Sequence, residues 1–111
     1  NDDGKPTEID HNFCISNTRQ NLSTNAILST KNISLELLST EPGLQIYTGN
    51  GLNSGNDKGW GGHSYKAFAG IALEPQIWPD SPNQVGFPNP YLSPNEKYKH
   101  HTKIKFSNSN N

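Results

Sequence analysis

The residues best suited to chemistry lie within residues 70–78, where an apolar stretch ends at the carboxylate of Glu74. Read as a strand with a period of two, this stretch places Glu74, Gln76 and Trp78 on one face and larger apolar residues on the other. An acid, an amide and an indole beside small residues are what a shallow polar pocket with an aromatic edge needs. Pro75 has no N–H to give to a sheet, which predicts a break or bulge in the ladder beside Glu74.

Two of these side chains each allow a functional and a structural interpretation. Glu74 could be a general base held by a rigid sheet, or an exposed carboxylate where a strand meets its loop. Trp78 could stack on the apolar C–H face of a sugar ring, or it could cover the end of the sheet. The pattern alone leaves both alternatives open.

A second polar cluster, Asp10-His11-Asn12, stands at the mouth of a short strand whose Phe13 and Ile15 are expected to point inward. The cluster could bind hydroxyl groups, or it could simply form a turn. Elsewhere, His100 and His101 are adjacent on a predicted strand, so their side chains point to opposite faces and cannot bind the same metal ion. The histidine spacing therefore predicts no metal site.

Composition favours a single all-β domain over residues 1–111. Hydrophobic residues make up 30% of the 111 residues, and Asn, Ser, Gly and Pro, which form turns and loops, fill the deficit. The net charge of -1 argues against general binding to nucleic acid or to an anionic membrane. A lone cysteine, Cys14, excludes an intrachain disulfide. A reducing compartment such as the cytoplasm is expected, with a periplasmic or secreted location also open.

The elements that must position these residues are short strands. Residues 26–29 and 33–40 are expected to form a hairpin, with Lys31-Asn32 as its turn and Asn32 in a left-handed conformation. Residues 44–48 form a further strand, with Gln45 on its polar face. Two long loops, rich in Gly and Asn over 49–66 and in Pro over 79–90, separate the later elements. The sequence predicts no helix.

The last strand shows the clearest alternation in the chain, with apolar and polar residues from Tyr98 to Phe106 interleaved with lysines and His101. This pattern is typical of a half-buried antiparallel strand with a basic solvent face. The lysines could attract phosphate, or they could keep a sheet edge soluble. The tail from Ser107 is expected to fray.

Three segments together resemble one family. They are Ile9-Asp10-His11-Asn12-Phe13-Cys14-Ile15, the run from Glu41 to Asn50 (EPGLQIYTGN), and the run from Leu73 to Gln84 (LEPQIWPDSPNQ). Their order is similar to the C-terminal portion of the aldose 1-epimerase, or galactose mutarotase, family. The resemblance spans almost the whole chain and roughly the last third of a full-length member. Because the chain starts at Asn1, it is expected to be a processed product or an excerpt.

The resemblance implies an antiparallel β-sandwich of the galactose mutarotase-like type, of which this chain is the C-terminal part. It implies interconversion of the α and β anomers of aldohexoses such as galactose or glucose, without a cofactor or a metal. By motif position, Glu74 is the general base, and Asp10 and Gln45 bind the sugar. The implied partners are the monosaccharide and the missing N-terminal part of the same fold, in the same or a companion chain.

The resemblance also implies an incomplete site. The general-acid histidine of the family, a second sugar-binding histidine and an arginine lie upstream of the part present. The isolated chain is therefore expected to be inactive and to be stable only beside the remainder. Two other functions remain open: a non-catalytic carbohydrate-binding module that stacks sugars on Tyr47, Trp60 and Trp78, and a sugar-phosphate epimerase of the same fold.

Overall fold

A computed structural model describes residues 4–108, and in this range the chain forms two three-stranded antiparallel sheets. Helical structure is limited to two short 3-10 turns, Trp60–Gly62 and Ser81–Asn83. The predicted all-β, antiparallel class is therefore confirmed. The first sheet has the order β1-β4-β5 and the second β2-β3-β6, with strands β1 Asp10–Cys14, β2 Ser23–Ser29, β3 Ile33–Ser39, β4 Gly43–Tyr47, β5 Ala72–Gln76 and β6 Thr102–Asn108.

The predicted hairpin of β2 and β3 is present, and Lys31-Asn32 is its turn. The backbone N–H of Thr30 donates to the carbonyl of Ile33 at 2.8 Å. The expectation that Asn32 adopts a left-handed conformation is wrong, since Asn32 is not among the residues with positive φ. The Thr30 hydroxyl accepts a hydrogen bond from the Ile33 N–H at 3.1 Å, so a side chain helps to close the turn instead.

The Pro75 bulge predicted beside Glu74 is also wrong. Gln45 pairs with Glu74 and Leu44 with Pro75 in one uninterrupted register. Because β5 is an edge strand of the first sheet, it pairs on one side only and can hold a proline without losing ladder hydrogen bonds. The irregularity in pairing lies in β2, between Thr24 and Ala26.

The C-terminal strand pairs antiparallel with β3, as its alternation predicts, but it begins at Thr102 rather than at Tyr98, and it differs from expectation at two further points. Ser107 and Asn108 pair with Ser34 and Ile33, so the strand does not fray at Ser107. The remaining tail residues, 109–111, lie outside the described range. Phe106 is 67% exposed and every residue of β6 is exposed, so the strand is not half-buried.

The buried centre lies where the chain passes from the second sheet to the first. Leu37 and Leu44 are 2% and 1% exposed, and Ser39, Glu41 and Pro42 between them are buried as well. Phe13 is 46% exposed, although it pairs with Leu44, because β1 is an edge strand. The inward orientation expected for Phe13 and Ile15 therefore does not bury them.

Candidate functional site

Three polar side chains stand in one row across the first sheet. Gln45 lies on the central strand β4, with Asn12 opposite it on β1 and Glu74 opposite it on β5. Directly opposed residues of antiparallel strands share a face, with Cβ atoms about 5 Å apart. We call this surface the polar face; its members, by the period of two along each strand, are Asp10, Asn12, Gln45, Tyr47, Glu74 and Gln76.

Asp10 and Gln45, the two residues expected to bind sugar, are in direct contact. The Gln45 amide Nε2 donates to Asp10 Oδ1 at 2.6 Å, at an exposed position. A short hydrogen bond to a carboxylate fixes the orientation of both side chains. The structure thus brings these two residues together on the polar face and points their polar atoms at each other.

Glu74, the expected base, lies beside this pair. Its side chain is exposed, and no other residue in the range 4–108 forms a hydrogen bond or an ion pair with its carboxylate. An ionised carboxylate is an acceptor with two free oxygens, so it can take a proton or a hydrogen bond from a bound hydroxyl group. The backbone that carries it is tied to β4 by the paired ladder.

A contact on the polar face that the sequence did not predict joins Asn12 and Gln76. The Gln76 amide Nε2 donates to Asn12 Oδ1 at 3.1 Å, in a part-buried position. Alternation assigns both amides to this face, but only the register of three strands shows that they meet.

Of the three aromatic residues considered for stacking on a sugar, Trp78 and Tyr47 make contacts within the chain, whereas Trp60 is exposed. The Trp78 indole N–H donates to the Pro42 carbonyl at 2.9 Å, and its ring meets Phe87 edge to face, with centroids 5.0 Å apart. The Tyr47 hydroxyl accepts a hydrogen bond from the Gly51 N–H at 2.8 Å. Trp60 lies in the loop before β5 and is 94% exposed. Trp78 therefore covers the end of the first sheet, the structural alternative for this residue.

The lysines of β6 lie in the second sheet, whereas Glu74 lies in the first. Lys105 Nζ donates to Glu36 Oε2 at 2.9 Å. The Thr24 hydroxyl and this lysine lower the pKa of the Glu36 carboxyl group by hydrogen bonding to its charged form. These contacts give Lys105 a partner within the second sheet.

Other classes of site find little support in the described part of the chain. No group of three or more potential metal ligands occurs within residues 4–108. The same range contains no helix with the length and apolar character to cross a bilayer. A cavity of about 590 Å³ lies between Arg19, Ile77 and the loop that leads to Tyr98, and neither Glu74 nor Asp10 nor Gln45 lines it.

Comparison with known proteins gives the family. A family model described as aldose 1-epimerase matches residues 1–105. The chain belongs to the aldose 1-epimerase family. The resemblance in the three sequence segments is thereby confirmed.

Individual relatives agree with this family assignment. The chain is 42% identical over 100 residues to a galactose mutarotase of Mus musculus and 41% identical over 100 residues to that of Homo sapiens. Each match covers 89% of this chain and 29% of the relative. An aldose 1-epimerase of Escherichia coli is 38% identical over 76 residues, or 67% of this chain and 21% of that protein. The chain thus spans less than a third of the length of these aldose 1-epimerase family members.

Proposed function

We propose that this chain forms the part of an aldose 1-epimerase that carries the catalytic base, Glu74, and one side of the sugar pocket. The observation that supports this most is the arrangement of the polar face. An unpaired carboxylate stands opposite Gln45, which is itself bonded to Asp10. The names of the relatives, galactose mutarotase and aldose 1-epimerase, favour an aldohexose such as galactose or glucose as the substrate.

The proposed reaction moves protons and breaks one ring bond. Glu74 takes the proton from the anomeric hydroxyl while a general acid gives a proton to the ring oxygen, and the C1–O5 bond breaks. The open-chain aldehyde rotates, and the reverse transfers close the ring on the other face of C1. Proton transfer by a positioned acid or base contributes roughly 10²–10⁴-fold to such a rate. This chemistry requires neither a redox cofactor nor a metal ion.

Recognition of the sugar is assigned to Asp10 and Gln45. Carboxylate oxygens accept from sugar hydroxyls, and an amide can both donate and accept. The Asp10–Gln45 bond holds both groups in place before the sugar arrives, which reduces the entropy lost on binding. We assign the general acid to a histidine in the upstream part of the fold, because none of the histidines in this chain lies at the corresponding motif position.

We also propose that the remainder of the sandwich, in the same polypeptide or in a companion chain, packs against this one. The second sheet pairs Leu28 with Leu35 and then with Phe106 along one apolar row, yet Phe106 and Leu28 are exposed. A sheet face of this kind is normally covered by another layer. The exposed thiol of Cys14 fits a reducing compartment such as the cytoplasm.

Polarimetry tests this proposal directly. The full-length protein that contains this chain is expected to accelerate the mutarotation of α-D-galactose or α-D-glucose, whereas the isolated chain of 111 residues is expected to leave the spontaneous rate unchanged. A full-length protein without activity on either sugar would contradict the proposed function. Turnover by the isolated chain would contradict the upstream location of the acid.

A further inference from the structure

Gly43 leaves a gap at one end of the polar face, where the central strand β4 begins. It lies on the central strand, between Cys14 of β1 and Gln76 of β5. A Cβ atom at this position would stand 2.6 Å from Asn12 Oδ1 and 3.0 Å from Trp78 Cδ1. The space that a side chain of β4 would occupy is therefore filled by Asn12 of β1 and by Trp78, two residues beyond the end of β5.

A hydrogen bond spans this gap. The Gln76 amide donates to Asn12 Oδ1 at 3.1 Å, and these residues belong to the two edge strands of the sheet. Adjacent strands are about 4.8 Å apart, so the edge strands are separated by roughly twice that distance. Two amide side chains can bridge such a span only if the residue beneath them has no side chain, which is the condition that Gly43 meets.

The same two strands carry Glu74, the proposed base, and Asp10, one of the two proposed sugar-binding residues. Asn12 follows Asp10 by two residues on β1, and Gln76 follows Glu74 by two residues on β5. Each amide therefore lies one step along the same face from an acid. The bond ties the strand of Asp10 directly to the strand of Glu74, in addition to the ladders through β4.

We propose that Asn12 and Gln76 are positioning residues that fix the separation of Glu74 from the Asp10–Gln45 pair. This inference rests on the proposed function. General-base catalysis needs heavy-atom distances of about 2.6–3.2 Å, and a misplacement of about 1 Å can reduce a rate roughly 10²-fold. An edge strand is held on one side only, so a second tie across the sheet limits the movement of Glu74.

Alanine variants of the full-length protein test the pair. Gln76→Ala and Asn12→Ala are each expected to lower kcat for mutarotation by roughly 10–100-fold, since they misplace the base. KM is expected to change less, because Asp10 and Gln45 remain. The double variant is expected to resemble the worse single variant, since both changes remove one shared bond.

Two further variants separate positioning from loss of a side chain. Gln76→Asn shortens one of the two hydrogen-bonded side chains and is expected to lower kcat. Gln76→Asn combined with Asn12→Gln restores the summed length of the two side chains and is expected to recover most of the lost kcat. Gly43→Ala keeps both amides but places a methyl group against Asn12 Oδ1, the movable end of a side chain. It is expected to reproduce the Asn12→Ala phenotype.

Thr24→Ala provides a control, because it removes a side-chain hydrogen bond to Glu36 in the second sheet. It is expected to leave kcat and KM unchanged. Unchanged kcat in Gln76→Ala and Asn12→Ala, in a protein that Glu74→Gln inactivates, would overturn the positioning pair and leave the proposed function intact. The positioning pair would also be overturned if both alanine variants lowered kcat but Gln76→Asn combined with Asn12→Gln did not recover it.

If the full-length protein has no mutarotase activity, the proposed function fails and hydrogen exchange decides the pair by itself. The amides of β5 are then expected to exchange faster in Gln76→Ala and in Asn12→Ala than in the unmodified protein or in Thr24→Ala. Equal exchange in all four proteins would overturn the pair.

Discussion

Gln45 separates two carboxylates on one face of a sheet and gives them different surroundings. Its amide donates to Asp10, whereas Glu74 stands opposite it with no partner in the described range. A carboxylate that is already bonded is suited to hold and orient hydroxyl groups. An unbonded one keeps its acceptor capacity for the proton of a substrate. This difference is the physical basis for assigning binding to Asp10 and proton transfer to Glu74.

Removal of the central amide is expected to weaken sugar binding. Gln45→Ala deletes a hydrogen bond to a charged group, an interaction of about 1.5–3 kcal/mol, and frees Asp10 to reorient. We expect KM for the hexose to rise roughly tenfold or more, because the loss of this interaction free energy weakens sugar binding. Steady-state polarimetry of the full-length protein measures it. Gln20→Ala, the same substitution in an exposed loop, is the control, and equal KM values in both variants would contradict the role of Gln45.

The sequence determines part of this arrangement. A period of two along each strand correctly assigns Gln45 and Glu74 to a polar face. The contact between Asn12 and Gln76 escaped prediction because it depends on the register of strands that are distant in sequence. It also depends on Gly43, whose effect is to leave space rather than to supply a group.

At the scale of elements, the centre of the second sheet is held by a polar cluster. Glu36 on β3 accepts from the Thr24 hydroxyl on β2 at 2.5 Å and from Lys105 on β6 at 2.9 Å. These hydrogen bonds, that of Thr24 first, lower the pKa of Glu36 below its usual value. Because the unfolded chain then binds the proton more readily, the contribution is present above the unfolded pKa and is lost as the pH falls through the folded one.

Lys105→Ala is expected to raise the pKa of Glu36 toward its usual value, since one of the groups that stabilise its charged form is removed. A titration of the carboxyl carbon by NMR in the full-length protein measures the shift. Lys103→Ala serves as the control, because Lys103 acts on Glu36 through charge alone and more weakly than Lys105. An unchanged pKa in Lys105→Ala would contradict the assignment.

The junction between the two sheets depends on one ion pair. Arg19 Nε lies 3.1 Å from Glu41 Oε1, the Glu41 side chain is 1% exposed, and the guanidinium stacks on Tyr98 at 4.8 Å. Arg19→Ala leaves a buried carboxylate without its cation and is expected to lower the free energy of unfolding by about 3 kcal/mol. Urea denaturation of the full-length protein tests this. Arg19→Lys keeps the positive charge and is expected to lose less of the free energy of unfolding. If Arg19→Ala lost less of this free energy than Lys99→Ala, a substitution at an exposed position, the role of the ion pair would be contradicted.

The elements themselves were largely predictable from alternation, and the errors have local causes. The Pro75 bulge failed because β5 is an edge strand, which can hold a proline on its unpaired side. The hairpin turn was correctly located, but the Thr30 hydroxyl, rather than a left-handed Asn32, closes it. Neither feature is visible before the neighbours of each residue are known.

For the whole molecule, the exposed apolar residues on one face of the second sheet are the basis for the proposal that the remainder of the sandwich packs there. Ile104 is exposed on that face beside Phe106, and Leu37 and Leu44 are the buried hydrophobic residues of the range 4–108. Such a core is small for 111 residues. Family membership was predictable at this scale because three motifs occur in the right order. The solvent exposure of this face was not predictable, since the alternation in β6 indicates which face is apolar but not whether anything covers it.

The isolated chain is therefore expected to be unstable as a monomer. Its thermal unfolding, followed by circular dichroism, is expected to be broad, and it is expected to bind a dye specific for exposed apolar surface. The full-length protein is expected to melt cooperatively and to bind little dye. A sharp, reversible melt of the isolated monomer would contradict the proposed packing of the missing part.

The most direct test of the central claim is the mutarotation rate of the full-length protein with Glu74→Gln. This change keeps the shape of the side chain and removes its basicity, so kcat is expected to fall by roughly 10²–10⁴-fold, while hexose affinity, measured by calorimetry, is expected to stay nearly constant. The matched control is Glu96→Gln, at an exposed carboxylate in the loop before β6, with unchanged kcat. A Glu74→Gln variant as active as Glu96→Gln would contradict the assignment of the base.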